Sequence, residues 1–173
     1  MEALKEFTIP FVGLKSGKHD FSFTIDNTFF KHFDYTDFNK AYLKATLILE
    51  KKPNFLELSF NAIGQAKLQC DVSMEWFDHP IETQLDLIVK FGNVSENQSD
   101  QILVISEGTY EINVAQYFYE MIVLSMPQKR VHPGIEDGSL DNYIVEKLKE
   151  LEPKEENLNG SQDPRWNKLK DLL

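Results

Sequence analysis

One thiol and four imidazoles are the side chains of this sequence best suited to chemistry near neutral pH. Cys70 could act as a nucleophile with His79 or His132 as its base, since one thiolate and one proton acceptor suffice for covalent catalysis. The opposing reading is that Cys70, which ends the apolar stretch AKLQC, is a small buried residue, as free cysteines commonly are. His79, directly before Pro80, reads as an exposed turn residue. The four histidines, at 19, 32, 79 and 132, show no pair at a metal-ligand spacing. Carboxylates are plentiful, but no pair stands out as an acid and base. No G-x-x-x-x-G-K, G-x-G-x-x-G, H-E-x-x-H or G-x-S-x-G occurs. The residues therefore point away from an enzyme, and no cofactor, metal or small-molecule substrate is expected.

A second constellation suits recognition rather than reaction. The chain ends DPRWNKLKDLL after the polar stretch EPKEENLNGSQ at 152–162, which reads as a linker. Asp163 can accept from the free N–H groups of a first helical turn, and Pro164 fits its first position, where no N–H is needed. Trp166, Leu169, Leu172 and Leu173 then share one face. An isolated helix shorter than about 12–15 residues is marginal in water, so this stripe needs a surface to complete it. That surface is either the chain's own domain or a partner. In the second case Arg165, Lys168 and Lys170 are available to phosphate or acidic side chains.

The elements that must carry these residues read mostly as strands. FSFTID at 21–26 sets Phe21, Phe23 and Ile25 against Ser22, Thr24 and Asp26. TIPFVGL reads as an edge or leading strand, because Pro10 cannot donate to a central ladder. NTFFKHFDYTDF predicts a short helix capped at Asn27 or Thr28. Residues 41–50 alternate Tyr42, Lys44, Thr46 and Ile48 with Leu43, Ala45, Leu47 and Leu49, turn at 51–54, and run back through Phe55 to Cys70. SMEWFDHP reads as a hairpin turn, and Trp76 and Phe77 within it could face a partner, although core packing is the commoner fate of such aromatics. PIETQLDLIVKFG alternates again, and QILVIS is a short buried strand. The period then lengthens. Asn113 can cap a helix of about 13 residues carrying Val114, Phe118, Met121 and Ile122, ended by Pro127. Tyr143 to Leu151 predicts one or two further helical turns.

The expected fold is α+β: an antiparallel, barrel-like β-sheet over 7–106, one packing helix near 113–126, and a C-terminal helical extension. The expected division is a β-rich globular domain at 1–135 and an acidic linker with a terminal amphipathic helix at 136–173. Of 173 residues 42% are hydrophobic, enough to bury a core. The net charge of −10 repels phosphate backbones at long range, so an RNA contact has to be local. A single cysteine forbids an intramolecular disulfide, MEALKEFTIPFVGL shows no secretory pattern, and no apolar run is long enough to span a membrane. The cytoplasm is the expected location.

Three segments together resemble one family. KLQCDVSMEWFDHPIE is similar to the strand-and-turn block of the YceD-like proteins, which are linked to accumulation of large-subunit ribosomal RNA. EINVAQYFYEMIVLSMPQKRVH resembles that family's most recognisable stretch, through Glu111, Ile112, Asn113, Glu120, Leu124, Met126, Pro127 and His132. DPRWNKLKDLL is similar to its closing element. The resemblance implies a non-enzymatic ribosome-biogenesis factor whose partner is the large-subunit ribosomal RNA precursor or a ribosome-assembly protein. Many relatives carry a second cysteine where Ser73 stands here, and two ligands, Cys70 and His132, fall short of the four a structural zinc site uses. Two rival readings remain: a protein–protein adaptor without an RNA role, and a thiol-dependent enzyme at Cys70.

Overall fold

The computed structural model describes residues 4–92, 101–136, 138–140 and 143–151. The chain divides into two units, Met1–His132 and Pro133–Leu173.

In the first unit, β2 (Gly17–Asp26), β3 (Lys40–Lys51), β4 (Phe55–Gln69), β5 (Trp76–Phe91) and β6 (Ile102–Ile105) form one sheet in sequential order. β2 to β5 are an antiparallel meander, as the alternation of side chains predicts. Their inner face is apolar. Ile25, Leu43, Ala45, Leu47, Leu49, Leu56, Leu58, Phe60, Ala62, Leu68, Ile81 and Val89 are all buried. Gly64 of β4 lies opposite Leu43 of β3. A Cβ there would come within 2.2 Å of the Tyr42 carbonyl oxygen.

α2 (Ala115–Leu124) lies over this face, three residues shorter at its ends than the sequence pattern suggests. Asn113 does serve its N-terminus, accepting from the N–H of Ala115 at 3.0 Å. Phe118 of α2 meets Phe60 and Phe23 edge-on at 5.1 and 5.5 Å, and Phe23 stacks on Phe7 at 4.8 Å. Contacts of this kind contribute about 0.5–1.5 kcal/mol each beyond burial. α1 (Asn27–Lys31) starts one residue earlier than expected, with Asp26 as its cap, accepting from the N–H groups of Thr28 and Phe29.

Three expectations are corrected. The sheet is open, not barrel-like: β2 and β6 remain its edges. α2 and the Phe7 segment cover the inner face, so the apolar side is buried without closure. β1 (Thr8–Pro10) does not lead into the sheet but pairs antiparallel with β7 (Glu111–Asn113). β6 lies parallel to β5 and is half-buried rather than buried.

In the second unit, α3 (Pro133–Glu136) is followed by α4 (Tyr143–Leu151), the helical turns expected there. Lys147 pairs with Glu150 at 3.2 Å, while Tyr143, Ile144 and Leu151 are exposed. Among the described residues, no helix is long and apolar enough to cross a membrane.

Candidate nucleic-acid interface

The reversal from β4 to β5 is a tight knuckle built around Cys70. The Cys70 N–H donates to the Glu75 carbonyl at 2.8 Å, and the Met74 N–H returns to the Cys70 carbonyl at 3.0 Å. Met74 closes the turn in the left-handed region, with φ of 61°. The thiol is fully buried and accepts from three backbone N–H groups: Val72 at 3.4 Å, Ser73 at 3.3 Å and His132 at 3.2 Å. Burial pushes its pKa up, but hydrogen bonds from the Ser73 hydroxyl and from the N–H groups of Ser73, His132 and Val72 outweigh this, leaving it below the usual thiol value.

A second strap holds the same end. The Asp71 N–H donates to the Arg130 carbonyl at 2.8 Å, and the Arg130 N–H donates to the Asp71 carboxylate at 2.7 Å. The Arg130 guanidinium reaches on to Asp37 at 2.5 Å. The knuckle thus fixes the first residues of β5. Phe77 turns inward, with the His132 ring edge-on at 5.5 Å, and Trp76 turns outward, 43% exposed.

The two histidines considered as bases for Cys70 lie at different places in the fold. His79 is a half-buried residue within β5, not an exposed turn residue, and pairs with Ala66 across the sheet. His132 meets the thiol through its backbone N–H. Cys70 is a buried structural acceptor with no exposed face to offer a substrate. Among the described residues no group of three or more His, Cys, Asp and Glu could hold a metal. Cys70 and His132 do not make a four-ligand set.

On the same end, the sheet's outer face presents exposed side chains. Lys40, Tyr42 and Lys44 project from alternate positions of β3, opposite Lys67, Gln65 and Ile63 of β4. Those in turn face Asp78, Pro80 and Glu82 of β5, and Gln69 faces Trp76. Tyr42 is 55% exposed. Asn27 pins the start of β3, accepting from the Ala41 N–H at 2.5 Å and donating to the Asn39 carbonyl at 2.7 Å. Asn27, Lys40, Tyr42, Gln65, Lys67 and Asp78 line a shallow depression of about 340 Å³. Lys40, Lys44 and Lys67 form no ion pair with any described residue. Lys15, Lys31, Lys90 and Lys129 likewise form no ion pair with a described residue, while Lys18, Lys52 and Arg130 are matched to Glu50, Glu57 and Asp37.

A larger groove of about 720 Å³ opens at the far end of β3, between Phe11, Val12, Phe91 and Tyr110. Of the two cations lining it, Lys52 pairs with Glu57 and Lys51 is committed to backbone. The ammonium donates to the carbonyls of Phe11, Val12 and Leu14 at 2.9, 3.0 and 2.9 Å. At the knuckle end, by comparison, Lys40, Lys44 and Lys67 share a face with Tyr42 and Trp76.

The binding residues expected from sequence, Asp163, Pro164, Arg165, Trp166, Lys168, Leu169, Lys170 and Leu172, lie outside the described residues. Sequence reasoning favoured the core for Trp76 and a turn for SMEWFDHP, whereas β5 begins at Trp76 and turns it outward; it passed over Lys40, Tyr42 and Lys67 as binding residues. A signal was present: an aromatic flanked by lysines two residues away on the polar side of a strand puts stacking and charge on one solvent face.

No curated protein and no solved structure matches the chain. The family model described as "Large ribosomal RNA subunit accumulation protein YceD" matches residues 58–173, from near the start of β4 onward. That stretch contains the knuckle, Lys67 and Trp76, α2, and the closing DPRWNKLKDLL. It is the greater part of the chain, and on that match the chain belongs to the YceD family.

Proposed function

We propose that this protein is a non-enzymatic ribosome-biogenesis factor that promotes accumulation or processing of large-subunit ribosomal RNA by binding the precursor RNA or an assembly partner. The observation that carries the reading is the outer face at the knuckle end of the sheet. Three lysines without ion pairs to described residues lie there beside an exposed tyrosine, with Trp76 on the same face and Asp78 and Glu82 interleaved, in a chain whose net charge is strongly negative. A contact confined to that patch reconciles an RNA role with long-range repulsion. The buried, backbone-bonded thiol supports a structural role for Cys70 in place of catalysis. The family description supports a place of action where ribosomes are assembled, in the cytoplasm.

The terminal element from Asp163 to Leu173 is a second contact, with Trp166, Leu169 and Leu172 as its apolar anchor and Arg165, Lys168 and Lys170 beside them. The test compares tagged full-length protein with a form stopped after Gln162, each purified from its native host after ultraviolet crosslinking. Large-subunit ribosomal RNA with the full chain supports the reading, and its loss on truncation assigns the terminal element. If protein partners are recovered while ribosomal RNA is neither crosslinked nor altered in level, the adaptor reading replaces it. The acidic surface favours that alternative.

A further inference from the structure

Tyr42 and Trp76 sit two strands and four residue positions apart on one face: Tyr42 pairs with Gln65 of β4, and Trp76 pairs with Gln69. From ordinary strand spacing and rise they are roughly 16 Å apart. Lys67 occupies the position midway between them, on the middle strand and in the middle row. Resting on the reading that the protein meets RNA, we propose that this diagonal binds a short single-stranded RNA segment. One base stacks on Tyr42, a second stacks on Trp76, and Lys67 and Lys40 meet the phosphates between.

The geometry selects single strands for a physical reason. Both aromatics stand on a sheet face, and a base can lie on such a ring only when its own face is free. In a duplex those faces are stacked on neighbouring bases, and the A-form major groove is too deep and narrow for side chains to read. The platform is also held in place. Asn27 pins β3 beside Tyr42, and the Cys70 knuckle sets Trp76 at the first position of β5.

Exposed single aromatics are common on protein surfaces. Here Lys40 and Lys67, neither of them in an ion pair with a described residue, lie in the row between the two, and with Tyr42 they line the depression of about 340 Å³. Asp78, opposite Lys67, limits the positive charge. It also gives the site an acceptor suited to the exocyclic amine of cytosine, as Gln65 offers both donor and acceptor. The partner is thus a short, unpaired stretch bound with modest affinity, and pyrimidine-rich sequence suits it.

The experiment uses the full chain, a fluorescein-labelled single-stranded 12-nucleotide RNA of C and U, and the same strand annealed to its complement. Anisotropy should show the single strand binding at least tenfold more tightly than the duplex. Tyr42→Ala and Trp76→Ala should each weaken binding about 5- to 100-fold, whereas Tyr42→Phe keeps it. Lys67→Gln should lower the slope of log affinity against log salt by about 0.7. Circular dichroism and urea midpoints of each variant separate loss of binding from loss of fold. Ultraviolet crosslinks should map by mass spectrometry to the peptides holding Tyr42 and Trp76. Binding that survives Tyr42→Ala and Trp76→Ala, with crosslinks elsewhere, overturns this platform while leaving the RNA reading intact. Equal binding of duplex and single strand overturns it too. If neither RNA binds, and none is crosslinked in the host, the RNA reading itself fails.

Discussion

The backbone N–H of His132 donates to the Cys70 thiol at 3.2 Å, joining the end of β4 to a loop 62 residues further on. With the reciprocal Asp71–Arg130 bonds it fastens the segment after α2 to the turn that presents Trp76. The sulfur is the hub of this arrangement, and its replacement shows how much the knuckle depends on it.

Cys70→Ala leaves the N–H groups of Val72, Ser73 and His132 without that acceptor. We expect stability to fall by about 2–3 kcal/mol in urea denaturation, the cost of unpaired buried donors and a small void. Iodoacetamide should modify Cys70 of the native protein only at the rate of opening, and unfolded protein at once.

The same thiol predicts a pH dependence. Its folded-state pKa is lowered, so the native state favours the thiolate more than the unfolded chain does. That contribution is absent at low pH, appears as pH rises through the folded pKa, and is complete above the unfolded value of about 8.5. Between pH 6.5 and 9.5 the wild type should therefore gain stability relative to Cys70→Ser, whose hydroxyl does not titrate there. Equal pH profiles for the two proteins would sink the thiolate argument.

Lys51 spends its ammonium on the carbonyls of Phe11, Val12 and Leu14 and so ties the segment after β1 to the end of β3. Lys51→Met keeps the stem but strands those acceptors. A loss of about 2 kcal/mol is expected, seen as a Tm lower by about 4–8 °C. RNA binding should be unchanged in the same variant, because the tie lies at the opposite end of the sheet from Tyr42.

Asp26 is held below the usual carboxylate pKa, first by the Thr28 hydroxyl and then by the N–H groups of Thr28 and Phe29, against some desolvation. Asp26→Ala should cost about 1 kcal/mol. Because the folded pKa is lowered, the cap contributes fully above the unfolded value of about 3.9 and is lost as pH falls through the folded one. The difference between wild type and Asp26→Ala should accordingly shrink on acidification below pH 4, as followed by thermal melts.

Gly64→Ala should be the most damaging small change in the sheet. Its methyl group would need the space of the Tyr42 carbonyl and the Leu43 Cα, both of them backbone. A loss of at least about 3 kcal/mol, with chemical-shift changes centred on β3 and Tyr42, is the expected result.

The sequence was legible wherever local periodicity decides structure. The alternation through Tyr42–Leu49 and Phe55–Cys70 set both faces of β3 and β4, and the three- and four-residue spacing from Val114 to Ile122 marked α2. It was not legible where distant segments choose one another. Nothing in TIPFVGL names β7 as its partner, and ILVI reads the same whether it joins β5 parallel or antiparallel. The candidate site suffered in the same way. Lys40 and Tyr42 share a face by alternation alone, but Lys67 and Trp76 join them only through the register of three strands.

The β1–β7 pair has a bearing on the order of assembly. It joins Thr8 to Asn113, whereas β3, β4 and β5 are neighbours in the chain as well as in the sheet. Near-neighbour pairings form quickly, and those that close long loops form late. A chain emerging during synthesis therefore holds Tyr42, Lys67 and Trp76 in register once β5 is out. The N-terminal segment is still waiting then for its partner strand and for α2 to be made. The face that meets the outside is complete before the core behind it is sealed.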